Sequence, residues 1–256
     1  FETGGNPASA NFKVRDLDPP GGMSFERVER RKGLRAAVDQ SFKKFEKSSN
    51  KVQAVDEFYS TAYRLLSSKE SRAAFDIKSE PAKLRDAYGR HSFGQGCLLA
   101  RRLVEAGVRF VSVDMGGWDT HNNNFPALRD GRAPQFDGTY ATFLKDLSSR
   151  GLLDDTLVIV MGEFGRTPVI NSDAGRDHYP GVFTVALAGG GIHGGTVVGT
   201  SDERGSKPAL RPVTPQDLAA TVYWCLGISP ENRLESPEGI QIVLSRGGKP
   251  IKEAIG

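Results

Sequence analysis

Three short stretches gather carboxylates, imidazoles and guanidinium groups. "VDMGGWDTHNNN", Val113 to Asn124, holds Asp114, Asp119 and His121; "GEFGRTP", Gly162 to Pro168, holds Glu163, Arg166 and Thr167; "GRDHYP", Gly175 to Pro180, holds Arg176, Asp177 and His178. Carboxylate oxygens and imidazole nitrogens are the donors of divalent-cation sites, whose ligands arrive from several directions at about 2.0–2.2 Å. The Asp-x-His spacing of Asp119 and His121 on a loop rich in glycine and asparagine can supply two such ligands. Taken one at a time, each stretch is also ordinary turn chemistry: Asp119 and Thr120 can cap a turn, and Asp177-His178 ahead of Tyr179-Pro180 can form one. The recurrence of the same residue types in three places favours a shared site. Beside such a cluster Arg166 either neutralises it or orients a phosphate or sulfate through paired N–H groups. Arg166 and its neighbour Thr167 are therefore the candidate catalytic residues.

The elements that must position these loops change character along the chain. Residues 1–23 are rich in glycine, proline, asparagine and aspartate, with the breaker cluster "DPPGG", and read as an irregular lead-in. From Ser24, a plausible N-cap, Val28, Leu34, Val38, Phe42 and Phe45 recur at helical intervals. Further helices are predicted over Val52 to Leu66, near Ser71 to Phe75, over Pro81 to Tyr88, and from Phe93 to Ala106, the last stopped by Gly107. After Gly107 come the apolar runs "VRFVSVDM", "TLVIVM" and "VFTVALAGG", with a helical segment from Phe136 between the first two. Continuous Val- and Ile-rich runs predict strands of a sheet covered on both faces, hence an α/β fold. In such sheets ligands sit beyond the carboxyl ends of the strands, and all three site stretches fall there. "TPQDLAATVYWCLGI", with Thr214 as cap and Pro215 at the first helical position, predicts a closing helix, and "GIQIVLS" an edge strand. The expected organisation is one α/β domain over 24–256, with 24–106 mainly helical and 107–256 rich in strands and carrying the metal site.

Composition removes several classes of function. With 256 residues, 38% hydrophobic and 25% charged, the chain has the make-up of a globular protein. A net charge of +3 with scattered basic residues argues against nucleic acid as a partner. No run approaches the roughly 18 apolar residues of a membrane span. Cys97 and Cys225 lie in apolar helical runs and read as inert thiols. His91 and His193 lack acidic neighbours and read as structural or surface residues. The run "AGGGIHGGTVVG" leads into a strand-like segment rather than a helix, so it is a turn and not a phosphate cradle.

Five stretches together, "FGQGCLLARRLVEAGVRFVSV", "GWDTH", "DLSSRGLLDDTLVIVMGEFGRTP", "GRDHYP" and "LAGGGIHGGTVVGTSD", resemble the bacterial domain of unknown function 1501 family, whose members are often exported. The likeness covers nearly the whole chain. That family is similar to the alkaline phosphatase and sulfatase superfamily, which implies a mostly parallel sheet covered by helices with metal at the strand ends. The resemblance further implies a divalent metal, zinc first, a small anionic ester as substrate, and an exported or periplasmic location. Matched residue by residue, "VDMGGWDTH" suggests Asp114, Asp119 and His121 as metal ligands, and "GRDHYP" suggests His178 with Asp177 beside it. "VIVMGEFG" resembles a strand ending in an Asp-His metal pair, here Glu163-Phe164, and a phenylalanine cannot coordinate. One metal site is therefore expected rather than two. The superfamily's nucleophile and first strands are expected before Phe1, as is any export signal. The expected function is a metal-dependent hydrolase of phosphate or sulfate esters. The alternative is a non-catalytic binding or structural protein that keeps the same fold.

Overall fold

Side chains that satisfy the first free backbone N–H groups set where the helices begin. In the computed structural model, which describes residues 2–14, 23–42 and 68–256, Ser24 Oγ accepts from Arg27 N at 3.2 Å and opens helix α1, Phe25–Phe42. Ser68 does the same for α2, Lys69–Phe75, through Ser71 N at 3.0 Å. Helix α3, Ala82–Tyr88, follows Pro81, and α4, Ser92–Glu105, is capped by His91, whose Nδ1 accepts from Gly94 N at 3.1 Å. His91 is thus a structural cap. Gly94 must be glycine here, because a Cβ would lie 2.1 Å from Tyr88 O. Gly107, at φ +87°, follows the end of α4. The predicted helix over Val52 to Leu66 lies outside the described residues.

The described residues form two compact units, Phe1–Val113 and Asp114–Gly256. In the first, Leu99 and Leu103 of α4 pack with Ala74 and Ile77, flanked by Phe12, Phe75 and Val111. Beside this core lies a charged cluster. Arg101, 1% exposed, sits 2.7 Å from Glu80 and 2.6 Å from Glu105, while Arg102 pairs with Glu80 and donates to Ala74 O at 3.0 Å. Buried Gln95 bonds Arg85 Nε and the carbonyls of Arg85 and Gly89, each at 2.9 Å. Leu34 of α1, expected to be apolar and inward, is 68% exposed.

In the second unit α5, Asn124–Ala127, runs through a π-helical turn, Leu128–Arg132, into α6, Ala133–Ser149. Helix α7, Pro215–Cys225, opens on a capping box in which Thr214 Oγ1 accepts from Asp217 N at 3.1 Å and Asp217 accepts from Thr214 N at 3.0 Å. No helix among the described residues is long and apolar enough to cross a membrane.

The expected mostly parallel, helix-covered, alkaline-phosphatase-like sheet is not what forms. Among the described residues there are instead four two-stranded antiparallel pairs: β1 (Val158–Val160) with β4 (Ala186–Ala188), β2 (Gly165–Arg166) with β3 (His178–Tyr179), β5 (Thr200–Ser201) with β6 (Pro208–Leu210), and β7 (Arg233–Glu235) with β8 (Gln241–Val243). "VRFVSVDM", expected to be the first strand, belongs to no strand among the described residues. The reason lies in what an apolar run reports. Val and Ile content signals an extended, apolar segment but says nothing about which neighbour takes its backbone N–H and C=O groups. Among the described residues "TLVIVM" pairs on one side only, with β4, and leaves Ile159 and Met161 exposed. The tail strand is present, but in a hairpin with β7 rather than on the edge of a larger sheet.

Candidate metal centre

A ribbon of two-residue strands places the first part of the site. In the β2–β3 pair Arg166 stands directly opposite His178, so the two side chains project from one face as cross-strand neighbours. The loop that follows Trp118 is tied to the segment preceding β3. Asn122 bridges Ala174, Asn123 N donates to Asp173 O at 3.0 Å, and Arg176 N donates to Thr120 O at 3.0 Å. Gly175 permits this approach, since a Cβ there would lie 1.8 Å from His121 O. Thr120 points inward, 8% exposed, and its hydroxyl bonds the Asn124 side chain. Its neighbours Asp119 and His121 are thereby directed to the outer side.

Three donor atoms then converge. Asp119 Oδ1 lies 3.0 Å from His121 Nε2 and 2.8 Å from His178 Nε2, and the two imidazole nitrogens are 3.1 Å apart. Asp119, His121 and His178 form a group that could hold a metal ion. Their side chains are open to solvent, at 65%, 44% and 50% exposure. Around them sits a second set of contacts. Asp177 Oδ1 is 2.7 Å from His121 Nδ1, and Asn171 Nδ2 donates both to Asp177 Oδ1 at 3.2 Å and to His121 O at 2.9 Å. The Phe164 ring lies against His178, with centroids 4.5 Å apart. Arg166 Nη2 donates to Asp119 Oδ1 at 2.6 Å, and its Nη1 to Arg176 O at 3.3 Å.

The electrostatics follow from these contacts. The hydrogen bond from His178, then that from Arg166, holds the Asp119 carboxyl down at about 2. Asp177 is also held below the usual carboxylate range, first by His121 and then by Asn171. An ionised Asp177 can only accept, so neutral His121 carries its proton on Nδ1 and turns the lone pair of Nε2 toward Asp119 and His178. A proton can bridge one edge of the triangle, whereas a cation at its centre satisfies all three donors.

Each predicted site residue has a definite place. Asp119, His121 and His178 come together. Asp177 stands behind His121, bonded to the ring nitrogen turned away from the triangle. Arg166 borders the site, and Thr167 pins Asp177: its Oγ1 accepts from Asp177 N at 3.0 Å and its own N–H donates to Asp177 O at 2.9 Å. Asp114 and Glu163 are exposed and lie outside the clustered three. Sequence reasoning missed Asn171, whose Oδ1 also accepts from Asp173 N and Gly175 N. "NSDAG" shows the Asx-turn signature but not that the amide's other end reaches His121. It also missed the packing of Phe164. Both cysteines read as inert thiols; burial pushes the Cys97 thiol up to about 12, and Cys225 is also unbonded and raised by burial.

The chain belongs to the family described as Protein of unknown function (DUF1501), whose model matches residues 1–255. No curated protein and no solved structure matches it. The family description assigns no activity.

Proposed function

We propose that Asp119, His121 and His178 hold a divalent metal ion, and that the protein is a metal-dependent hydrolase of phosphate or sulfate esters. The supporting observation is the triangle of donor atoms with 2.8–3.1 Å edges, bordered by the Arg166 guanidinium. Two imidazoles and one carboxylate suit zinc as well as manganese, iron or cobalt. When bound, such an ion supplies Lewis-acid polarisation of a phosphoryl or sulfuryl oxygen. The protein's own groups do the rest. Arg166, with five N–H donors of which Asp119 and Arg176 O engage a part, orients the anion and opposes its charge. Asp177 and Asn171 fix the His121 ring, and Phe164 fixes the face of His178. Metal analysis and titration of the protein, followed by a panel of phosphate mono- and diesters and sulfate esters, test the proposal. The expected result is one divalent ion per chain and turnover abolished in His178→Ala; a protein that binds no divalent ion refutes it.

One observation favours a second reading, a non-catalytic binding protein. Phe164 stands where the superfamily resemblance would place the histidine of a second metal pair, and its ring is committed to His178. Turnover that is lost in His178→Ala while the fold is retained eliminates this alternative.

A further inference from the structure

The β7–β8 hairpin has one edge whose backbone groups are unpaired among the described residues. Ser236 N donates to Ile240 O and Leu244 N to Asn232 O, each at 2.9 Å, so the hydrogen-bonded pairs of this ladder are Ser236 with Ile240, Leu234 with Ile242, and Asn232 with Leu244. The alternation turns the backbone N–H and C=O of Arg233 and Glu235 outward, away from β8. On the β8 side the outward carbonyl of Val243 is taken by Arg246 N at 3.1 Å, whereas among the described residues no hydrogen bond reaches the outward groups of Arg233 or Glu235. The two faces of the hairpin differ as well. Leu234, Ile240 and Ile242 share one face, and all are exposed. The other face holds Arg233 and Glu235; Glu235 accepts from Gln241 Nε2 at 3.0 Å, and Arg233 has no side-chain partner among the described residues.

We propose that this edge joins two copies of the chain, β7 lying antiparallel to β7 of a second copy about a two-fold axis at Leu234. The order Arg-Leu-Glu is its own complement in that register: Arg233 of one copy stands opposite Glu235 of the other, and Glu235 opposite Arg233. The residues that then exchange backbone bonds are the two whose N–H and C=O face outward, and their side chains form cross-strand pairs of opposite charge. Other registers fit worse. A shift of one residue sets Leu234, whose backbone groups are engaged with Ile242, against Arg233 and loses the bonds. A shift of two sets Glu235 against Glu235, or Arg233 against Arg233, and like charges directly opposite are destabilising. On the apolar face the two Leu234 side chains meet with Ile242 beside them, and two hairpins that are marginal alone become one wider sheet. The same self-complementarity favours a second copy over an unrelated extended segment as the occupant of this edge.

Sedimentation velocity on the full chain, over a concentration series from micromolar to about 1 mM, tests the pairing. The wild-type protein is expected to dimerise as concentration rises. Arg233→Glu and Glu235→Arg each set like charges opposite one another and should weaken dimerisation by about tenfold or more. The double variant Arg233→Glu/Glu235→Arg puts opposite charges back in the same register and should associate as the wild type does. An equimolar mixture of the two single variants should likewise form a dimer that neither forms alone, and circular dichroism shows that each variant is folded. A wild-type protein that sediments as a monomer throughout the series overturns the proposal. So does a dimer that the single reversals leave unchanged, or one that neither the double variant nor the mixture restores.

Discussion

Arg101 is 1% exposed, and its guanidinium lies between Glu80 and Glu105 at 2.7 and 2.6 Å, with Arg102 on the same Glu80 carboxylate. In the other unit Asp119, His121, His178 and Asp177 are 44–65% exposed and face one another across 2.7–3.1 Å. Both are dense clusters of charged and titratable groups, yet they differ in how their donors and acceptors are matched. The first opposes two guanidinium groups to two carboxylates, so each charge has a counter-charge. The second, carried on loops and a minimal ribbon, aims three donors at one point that Arg166 borders without filling. Opposite charges paired around a buried arginine are the pattern of a structural cluster, and convergence of metal-type donors at the surface is that of a binding site.

The contrast is easiest to break through the buried pair. Glu80→Ala removes a counter-charge shared by Arg101 and Arg102, and should destabilise the protein by about 3–5 kcal/mol in urea unfolding. A cost below 1 kcal/mol would place Glu80 with the surface clusters. Next in size, His178→Ala should weaken divalent-ion affinity by more than the roughly 10–100-fold typical of outer contacts, measured by calorimetry. Asp177→Asn should fall within that range of about 10–100-fold, because the amide can donate to His121 Nδ1 and select the wrong tautomer, while Asp177→Glu restores part of the affinity. An Asp177→Asn protein with wild-type affinity would detach Asp177 from the site.

Acid separates the clusters in a smaller way. Burial raises the Glu80 carboxyl, but hydrogen bonds from Arg101 and then Arg102 outweigh it and hold the group below 4.5. Its stabilising contribution is therefore complete above pH 4.5 and is lost as pH falls through the lower folded value. Acid titration of wild-type and Glu80→Gln proteins should converge toward low pH, and a constant difference at every pH would contradict the assignment. Smallest of all, Asp119→Ala in metal-free protein should change stability by no more than about 0.5 kcal/mol, since the residue is exposed.

The parts of this molecule legible in its sequence are those decided within a few residues. Ser24, Thr214 and Gly107 mark helix ends because a cap is a contact between near neighbours. The loop with Asp119 and His121 and the segment with His178 were identifiable because their donor types are unusual, and the fold brings them together. Long-range partners were not legible. "LLARRL" reads as an amphipathic helix, and nothing in it says that Arg101 turns inward to meet Glu80. "TLVIVM" does not reveal that its neighbour is antiparallel, nor "VRFVSVDM" that it has none among the described strands. Asn171 looks like any turn asparagine until His121 O is placed beside it.

The β2–β3 ribbon has one more consequence. Two residues on each side make a ladder too short to hold itself, and a slip of one position would turn His178 to the opposite face. An ion gripped by Asp119 and His121 on one segment and His178 on another would act as a fastener across that ladder, locking its register from outside the backbone. Ion concentration would then set how often residues 119–124 and 165–179 come apart, and resistance of these segments to a protease would rise with it. The same three side chains would serve as the clasp of the loops that present them.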